Sequence, residues 1–580
     1  MSPGLEGPLD RKAAAHVLEQ IADFLELKGE NPFRVRGFRV AARAVSSLAV
    51  DLRTALASGA LARARGVGPA TLRIVSELAD TGRASMLEEL REQIPPGLVE
   101  MLRVPGLSIT KIRQIHDLLD IDSLPDLEDA ARDGRLARLP RFGPKTAENV
   151  LRGIAFVRQA AGLRLYHHAA DEAETLCAAL ARLPGVLEAH IAGEVRRRTD
   201  IVRQVVLVLV AGIPSSELFR RLSELPGVDE FAGQDERTVT LRFTGGTSAQ
   251  VIVTPPANAG AVLVQATGSE DHLRELAARA ARTGFSLRGG ALWRGSEFVP
   301  APDERRFYAA LGLAWIPPEL REGRGEVALA ERGQLPALVE RRDLAGLLHC
   351  HTKYSDGSNT VEEIAVAARE AGYAWIGITD HSAAAAYAGG LQAEDLHRQA
   401  DEIDAVNERL EGIRILKGVE ADILQDGRVD YDEATLARLD FVIGSVHSRF
   451  GMDREAMTAR MLTAMDNPRL TIVGHPTGRL LLAREAYAVD IEALIGKAAE
   501  TGVALEINAD PHRLDLSWRL AAEARAAGVR LSIGVDAHSA AGLAHAEFGI
   551  GVARKAGLEA GDLLNSLSAD DFTAFARRRL

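Results

Sequence analysis

Cysteine is nearly absent from this chain. Cys177 and Cys350 are the only two among 580 residues, and they lie far apart in the sequence. This scarcity excludes a disulfide framework and a zinc site made of thiolates. Any metal ion must therefore be bound by histidine, aspartate and glutamate side chains.

Long hydrophobic runs are also lacking. No stretch of about 18 or more consecutive apolar residues occurs, so the sequence predicts no transmembrane helix and no membrane partner. The N-terminus, MSPGLEGPLDRKAAAH, does not have the basic-then-apolar order of a signal peptide. We therefore expect a soluble, cytoplasmic protein.

Positive charge is outnumbered, with 69 lysines and arginines against 81 acids and a net charge of −12. Such a balance normally disfavours a nucleic-acid partner, because like charges repel phosphates. The acidity is uneven, however, since residues 341–580 carry −11 and residues 1–160 carry +2. Clustered acids in the last part of the chain can neutralise bound cations. The length also requires several domains.

Residues 11 to about 160 have apolar side chains at three- and four-residue spacings, which predicts helices throughout. Three similar glycine-containing turns precede predicted helices: RGVGPATLRIVSEL, VPGLSITKIRQI and PRFGPKTAENVL. Free N–H groups at a helix N-terminus bind phosphate oxygens without reading bases. One such turn is weak evidence, but three favour DNA binding. The candidate DNA contacts are Gly66, Gly68, Gly106, Gly143 and Lys145.

From about 161 to 325 helices alternate with β-branched runs such as QVVLVLVAG, which predicts a small α/β unit and a mixed segment. The stretch GEVRRRTDIVRQVVLVLV begins with a glycine turn that carries three arginines. Guanidinium groups at such a turn suit a phosphate, so Arg196 and Arg197 join the candidate DNA contacts.

From about 343 onwards, the short strands WIGIT, FVIGSV, TIVGH, ALEIN and LSIGVD alternate with amphipathic helices. This order is typical of a barrel-like α/β domain, in which site residues collect at the C-terminal ends of strands. Imidazoles and carboxylates without thiolates suit zinc, manganese or iron, and nine such groups are too many for one ion. The candidate ligands of two or three ions are His349, His351, Asp356, His381, Glu420, His447, His475, Asp536 and His538.

Clustered divalent ions suit in-line attack on a phosphodiester, which makes these nine residues the candidate catalytic groups. Arg479, in GHPTGRLL, lies beside them in the predicted barrel and is the candidate for holding the phosphate. Arg513 and Asp515 follow another strand end and are candidates for ordering the substrate.

The segments LLHCHTKYSDG, ITDHS, LKGVEADIL, VIGSVHS, GHPTGRLLLAREAY and IGVDAHS resemble, in this order, the PHP (polymerase and histidinol phosphatase) domain. All nine candidate ligands fall on metal-ligating positions of that family. With the glycine turns and FYAALGLAWIPPELREGRGE, the chain from about residue 9 resembles the bacterial family X DNA polymerases, PolX, with a fused PHP nuclease.

The resemblance implies an all-α helix-hairpin-helix N-terminal region, an α/β nucleotidyltransferase-like palm and thumb, and a distorted (β/α)7-type PHP barrel. It places a DNA-binding domain at 1–80, fingers at 81–155, the palm at 160–255, the thumb at 256–325, a linker at 326–342 and the PHP domain at 343–580. We expect a nucleoid-associated monomer whose partner is DNA, either gapped or 3′-ended duplex or single-stranded 3′ ends.

The activities implied are DNA synthesis in the polymerase core and 3′-to-5′ exonuclease in the PHP domain, within base excision repair. Manganese is the expected ion, with zinc or iron as alternatives. The polymerase positions depart from the family, in which acids hold two magnesium ions against a triphosphate. The departures fall on Glu194 in place of a serine, Gln204, Val206 and Gln250 in place of three aspartates, and Gln265 and Ala266 in place of a Tyr-Phe pair.

We interpret the chain as a metal-dependent DNA exonuclease whose polymerase core is inactive and holds DNA. Three alternatives are an active gap-filling polymerase with a PHP exonuclease, a small-molecule phosphatase, and a non-catalytic DNA-binding scaffold.

Overall fold

The computed structural model describes residues 11–46, 48, 52–64, 66–81, 83–225, 227–233, 235–243 and 248–580. The chain divides into two compact units, residues 1–161 and 162–580. None of the described helices is long and apolar enough to cross a membrane.

The first unit is built from helices, because its apolar residues recur on one face of each. Leu18, Ile21, Ile112 and Leu127 are fully buried in its shared core. The α-helices of the described part are Arg11–Leu27, Pro32–Ser46, Leu52–Ala57, Ala60–Arg63, Pro69–Thr81, Ser85–Gln93, Pro96–Met101, Ile109–Leu119, Leu124–Arg132 and Pro144–Ala160.

The three predicted glycine turns directly precede helices Pro69–Thr81, Ile109–Leu119 and Pro144–Ala160. Gly66 has a φ of 92°, a left-handed conformation that glycine adopts without strain. In the third turn Arg141 occupies the position that Gly66 has in the first turn, and it adopts a φ of 66°. The turn geometry is therefore kept despite the substitution.

The second unit begins with seven strands: β1 Arg164–Leu165, β2 Val186–Ala192, β3 Ile201–Val202, β4 Val205–Ala211, β5 Val228–Gly233, β6 Thr238–Phe243 and β7 Ser248–Thr254. Five of them form a sheet of order β2-β4-β7-β6-β5. The short strands β1 and β3 pair with each other. Helices Tyr166–Leu180, Gly193–Arg196 and Ser215–Ser223 connect the strands.

Residues 259–332 follow as helices around a small antiparallel sheet. The sheet consists of β8 Phe285–Arg288, β9 Ala291–Arg294 and β10 Glu297–Val299. Phe307, Tyr308 and Ile316 are buried in the core of this segment. Its α-helices are Ala259–Thr267, Glu270–Arg282, Glu304–Ala310 and Glu326–Arg332.

The rest of the chain contains the strands β11 Gly346–Cys350, β12 Trp375–Ile378, β13 Arg414–Lys417, β14 Glu420–Asp422, β15 Ile443–Ser445, β16 Ile472–Val473, β17 Ala504–Asn508 and β18 Leu531–Ala537. They form a parallel sheet of order β13-β12-β11-β18-β17-β16-β15-β14. The covering α-helices are Val361–Glu370, Ala393–Arg409, Glu433–Leu436, Arg454–Met465, Ile491–Thr501, Trp518–Ala526, Ala546–Lys555 and Ala569–Arg577.

The two edge strands of this sheet are consecutive in the chain, since only Gly418 and Val419 separate β13 from β14. They form one bent strand that pairs with β12 on one side and β15 on the other. The sheet therefore curls into a seven-stranded barrel. The predicted helical N-terminal region and the predicted parallel barrel are confirmed.

Candidate metal centre

The barrel gathers the nine predicted ligands at one end. His349 and Asp536 lie near the C-terminal ends of adjacent strands β11 and β18. His381, His447 and His475 come within three residues after β12, β15 and β16. Because the strands are parallel, their C-terminal ends meet on the same rim.

Glu420 is the centre of this cluster and is only 1% exposed. Its carboxylate approaches five imidazoles. The distances are 2.8 Å to His381 Nδ1, 3.0 Å to His475 Nε2, 3.2 Å to His349 Nε2, 3.2 Å to His447 Nε2 and 3.7 Å to His351 Nε2.

The remaining predicted ligands adjoin this group. His351 Nε2 lies 3.4 Å from Asp536 Oδ1, and His538 Nε2 lies 3.4 Å from Asp356 Oδ1. Asp356 also approaches His381, with 3.7 Å between Oδ2 and Nε2. The structure thus brings all nine predicted residues into one continuous cluster.

The donor set of this cluster fits divalent ions. Both ring nitrogens of His351, Nε2 of His349 and Oε2 of Glu420 are buried without a hydrogen-bond partner. Leaving such atoms unsatisfied is costly, and bound cations would satisfy them. Three overlapping groups have ligand atoms within 4.8 Å of one another: His351, Asp356, His381 and His538; His349, His351 and Asp536; and His381, Glu420 and His447.

The acids of the cluster attract positive charge. Burial alone would lower the pKa of His447, but Glu420 and Asp422 raise it to about 10. Burial would likewise lower the pKa of His538, yet Asp356 and Asp536 raise it to about 9. The cluster is therefore electrostatically suited to hold cations.

Three of the nine residues have left-handed backbones. The φ angles are 65° for His349, 27° for His475 and 47° for Asp536. Residues other than glycine adopt this region at a cost, and such strain clusters at functional sites. The strand ends are thus shaped to direct these side chains into the cluster.

Glu506 belongs to the site but was not predicted. It is fully buried, its Oε1 lies 2.5 Å from His349 Nδ1, and its Oε2 accepts a hydrogen bond from the His475 N–H at 2.7 Å. Gly534 makes room for it, since a Cβ there would lie 1.8 Å from Oε1. A carboxylate behind a histidine fixes the ring for metal binding. The available signal was a lone acid inside the apolar strand ALEIN.

Asp380 orders the loop that follows β11. Its carboxylate accepts hydrogen bonds from the Thr352 N–H at 2.8 Å, from the Thr352 hydroxyl at 2.6 Å and from the Gln399 amide at 2.5 Å. All three groups are buried. These hydrogen bonds therefore fix the loop that contains His351 and Asp356.

Of the two arginines near the cluster, Arg479 has partners that its predicted role did not include. Arg479 is occupied: its guanidinium pairs with Asp200 at 2.7 Å and donates to the backbone carbonyl of Arg513 at 3.0 Å. Arg513 instead approaches the cluster, with 3.7 Å between its Nε and Asp536 Oδ2. Asp515 is buried and accepts a hydrogen bond from the Thr477 N–H, so it stabilises the backbone at the rim of the barrel.

The predicted DNA contacts Arg196 and Arg197 are engaged inside the second unit. Arg196 pairs with Glu304 at 2.6 Å and Arg197 with Glu322 at 2.9 Å. Their charges are therefore neutralised by partners within the unit. This differs from the prediction, in which both guanidinium groups meet a DNA phosphate.

The predicted contacts of the first unit have a different setting. Gly68, Gly106 and Gly143 have no other part of the described chain within 4 Å of where a Cβ would stand. Lys145 is exposed in the first turn of helix Pro144–Ala160. Gly66 differs, because a Cβ there would lie 2.2 Å from Val40.

The positions that the sequence predicts to replace the polymerase acids lie together at β4 and β7. Val206 and Gln250 are register partners in the parallel pair, and Gln204 immediately precedes β4. A Cβ on Gly193 would lie 2.9 Å from Val206 and 3.9 Å from the Ala266 carbonyl. Gln265 precedes Ala266 on helix Ala259–Thr267. The turn, the strand and this helix thus meet, and they bring together the positions at which the sequence predicts a degenerate polymerase site.

The two acids closest in sequence to this place have other partners. Glu194 accepts from the Arg203 N–H at 2.5 Å, and Asp200 pairs with Arg479. Each carboxylate is therefore engaged by an arginine, Glu194 by Arg203 and Asp200 through Oδ2 by Arg479, while Oδ1 of Asp200 is buried without a hydrogen-bond partner.

Family matches cover most of the chain. Residues 10–84 match a helix-hairpin-helix domain and residues 98–155 a SAM-like helix-hairpin-helix tandem. Residues 262–322 match the DNA polymerase beta thumb, and residues 348–510 match the PHP domain. The DNA polymerase/3′-5′ exonuclease PolX of Bacillus subtilis (strain 168) is 35% identical over 575 residues, covering 98% of this chain and 100% of that protein.

The chain belongs to the PolX family. The resemblance stated from the sequence is confirmed. The helix-hairpin-helix and thumb domains of this PolX chain indicate DNA binding, and its PHP domain carries histidine and acid groups able to bind metal ions.

The PHP part of this PolX chain is also similar to shorter proteins. A probable phosphatase of Caldanaerobacter subterraneus subsp. tengcongensis is 35% identical over 23% of this chain and 55% of its own length. A probable phosphatase of Thermoanaerobacter sp. (strain X514) is 30% identical over 38% of this chain and 89% of its own length.

Proposed function

We propose that this PolX chain is a metal-dependent, manganese-type 3′-5′ DNA exonuclease that does not polymerise DNA. Its catalytic groups are the nine clustered residues of the barrel. The observation that carries the proposal is a contrast within one unit: the barrel unites five imidazoles around Glu420, whereas the polymerase positions on β4 and β7 are Gln204, Val206 and Gln250.

The three overlapping ligand groups would hold two or three divalent ions. Bound there, such ions would generate a nucleophile from water at neutral pH and stabilise the leaving oxygen of a phosphodiester. Arg513 stands beside Asp536 and would hold a phosphate oxygen of the DNA. Glu506 fixes the ring of His349, and Asp380 fixes the loop that carries Asp356.

DNA binding is assigned to the first unit. The turns at Gly68, Gly106 and Gly143, with Lys145, would bind backbone phosphates at helix N-termini. We keep the six-part division into DNA-binding domain, fingers, palm, thumb, linker and PHP domain as part of the proposal. Gapped duplex and free 3′ ends are the proposed substrates.

Loss of polymerase activity follows from charge. Two magnesium ions and a triphosphate need carboxylates, and neither Val206 nor Gln250 can supply one. Glu194 would add repulsion of the triphosphate where the family has a serine.

The direct test uses one single-stranded oligonucleotide labelled at either end and incubated with Mn²⁺. We expect mononucleotides to leave the 3′-labelled end, and the 5′-labelled strand to shorten stepwise. Release of mononucleotides first from the 5′ end would contradict the assigned direction.

A phosphatase is the second candidate, because the probable phosphatases match the same barrel. It predicts phosphate release from histidinol phosphate and no shortening of DNA. Measuring inorganic phosphate with histidinol phosphate and mononucleotides with DNA, under the same Mn²⁺ conditions, separates the two activities, because cleavage of a phosphodiester releases a nucleotide and no inorganic phosphate.

Tyr387 provides a prediction specific to a nuclease. Its ring is 73% exposed, with ring centroids 6.3 Å from His381 and 6.4 Å from His447. Stacking of a base on an aromatic ring contributes about 1–3 kcal/mol. We expect Tyr387→Ala to raise the KM for thymidine 5′-monophosphate p-nitrophenyl ester roughly 10-fold, with little change in kcat.

Two controls accompany this variant. Tyr387→Phe keeps the ring and should behave like the unchanged protein. Methyl p-nitrophenyl phosphate lacks a nucleoside and should be hydrolysed equally by all three proteins. An equal loss on both substrates would show that Tyr387 supports the metal cluster and does not bind a base.

A further inference from the structure

The turn of residues 193–200, called here the arginine turn, docks on the PHP barrel. The Arg197 carbonyl accepts a hydrogen bond from Lys555 Nζ at 3.0 Å, and Arg198 donates to the Glu547 carbonyl at 3.0 Å. Gly551 allows this approach, because a Cβ there would lie 2.9 Å from Arg198 Cδ. The palm-like region is therefore packed against helix Ala546–Lys555.

The last residue of the arginine turn reaches the rim of the metal cluster. Asp200 Oδ2 lies 2.7 Å from Arg479 Nη2, and the two side chains are only 14% and 19% exposed. A charge pair so withdrawn from water is strongly coupled, since removing one partner leaves the other buried and unpaired.

Arg479 also contacts the backbone of the segment that contains Arg513. Its Nε donates to the Arg513 carbonyl at 3.0 Å, and its Nη2 also donates to the Leu514 carbonyl. Leu514 has a φ of 45°, a conformation that its surroundings must impose. The backbone at Arg513 is thus fixed by a guanidinium that Asp200 orients.

From that fixed backbone the Arg513 side chain points to the cluster, where its Nε is 3.7 Å from Asp536 Oδ2. We propose that Asp200 is a positioning residue of the nuclease: through Arg479 it holds Arg513 where the phosphate of the DNA must lie. This inference rests on the proposed function. It gives the palm-like region a role in DNA hydrolysis that needs no polymerase chemistry.

A double-mutant cycle tests the inference in the full chain. We expect Asp200→Asn to lower kcat/KM for release of nucleotides from a 3′-labelled oligonucleotide about 10-fold, the factor produced by about 1.4 kcal/mol. In an Arg513→Ala background, Asp200→Asn should lower kcat/KM less than about 2-fold, because the effects of substitutions at residues that act as one unit are not additive.

A second measurement does not depend on activity. Asp200→Asn should increase deuterium uptake in peptides covering residues 508–516, since that backbone loses its anchor. Asp171→Asn, an exposed acid of the same region, should change neither kinetics nor exchange. Asp200→Glu keeps the carboxylate and should recover a large part of the activity.

The outcomes are distinct. An equal loss in both backgrounds, or unchanged exchange at 508–516, would overturn the inference, because Asp200 would then support folding in general. Full activity of Asp200→Asn would also overturn it while leaving the nuclease in place. Absence of Mn²⁺-dependent cleavage by the unchanged protein would instead contradict the proposed function.

Discussion

The Glu420→Gln variant is expected to release nucleotides from a DNA 3′ end more than about 100-fold more slowly than the unchanged protein. Replacing a residue that merely orients a metal ligand lowers metal affinity or activity about 10- to 100-fold, so replacing a central ligand should lower activity more. Glutamine keeps the size of the side chain and removes its charge. The measurement is the initial rate of mononucleotide release in Mn²⁺.

The physical reason lies in the five imidazoles around this carboxylate. Burial would raise the pKa of Glu420, but His447, His349 and His381 lower it well below its usual range, so the group is ionised. An amide cannot supply that negative charge to the cations of the cluster.

Glu485→Gln is the matched control, because Glu485 is exposed and lies outside the cluster. It should cleave DNA at the unchanged rate. Circular dichroism melting should show that both variants are folded. A Glu420→Gln protein that cleaves within a few-fold of the unchanged rate would mean that the cluster is not the catalytic site.

Removal of divalent ions is expected to abolish cleavage, and Mn²⁺ is expected to restore it. Ions that bind only the folded state stabilise it by about 2.7 kcal/mol at 100 times their Kd. For a domain of the size of the barrel this corresponds to a rise in Tm of roughly 5–10 °C. The measurement is thermal melting after chelation, with and without Mn²⁺.

The rise in Tm should be largely lost in Glu420→Gln and kept in Glu485→Gln. This comparison separates binding at the cluster from unspecific binding of Mn²⁺ to surface acids. Cleavage that persists in excess chelator, or an equal rise in Tm for both variants, would contradict a metal-dependent nuclease.

The nine clustered residues of the candidate site could be predicted from the sequence because each one is a local signal. A histidine or acid directly after a short apolar strand marks the rim of a parallel barrel, and the structure brings those nine residues together. Glu506 was not predicted because it lies within strand β17, where an acid does not mark a strand end.

The roles of the arginines could not be read in the same way. Arg196 and its partner Glu304 are 108 residues apart, and Arg479 and Asp200 are 279 residues apart. No local sequence pattern predicts pairs between residues so far apart. A turn rich in arginine is therefore predicted to bind phosphate when its acidic partners are unknown. The sequence likewise predicted that Arg479 holds the phosphate, whereas we propose Arg513, whose Nε lies 3.7 Å from Asp536 Oδ2.

The pairing of the palm-like strands bears on the loss of polymerase activity that we propose. The register of β4 and β7 places Val206 beside Gln250. The absence of acids at these positions therefore concerns one place in the fold and not three unrelated substitutions. The arginine turn next to it now contacts the thumb-like segment and the barrel.

Primer extension on a gapped duplex distinguishes an inactive polymerase core from an active one. A duplex with a short gap and a labelled primer is incubated with Mg²⁺ or Mn²⁺, each with and without all four deoxynucleoside triphosphates. We predict that the primer shortens from its 3′ end in Mn²⁺ and is lengthened under none of the four conditions. Extension of the primer that depends on added triphosphates, and that survives in Glu420→Gln, would show that the polymerase core is active.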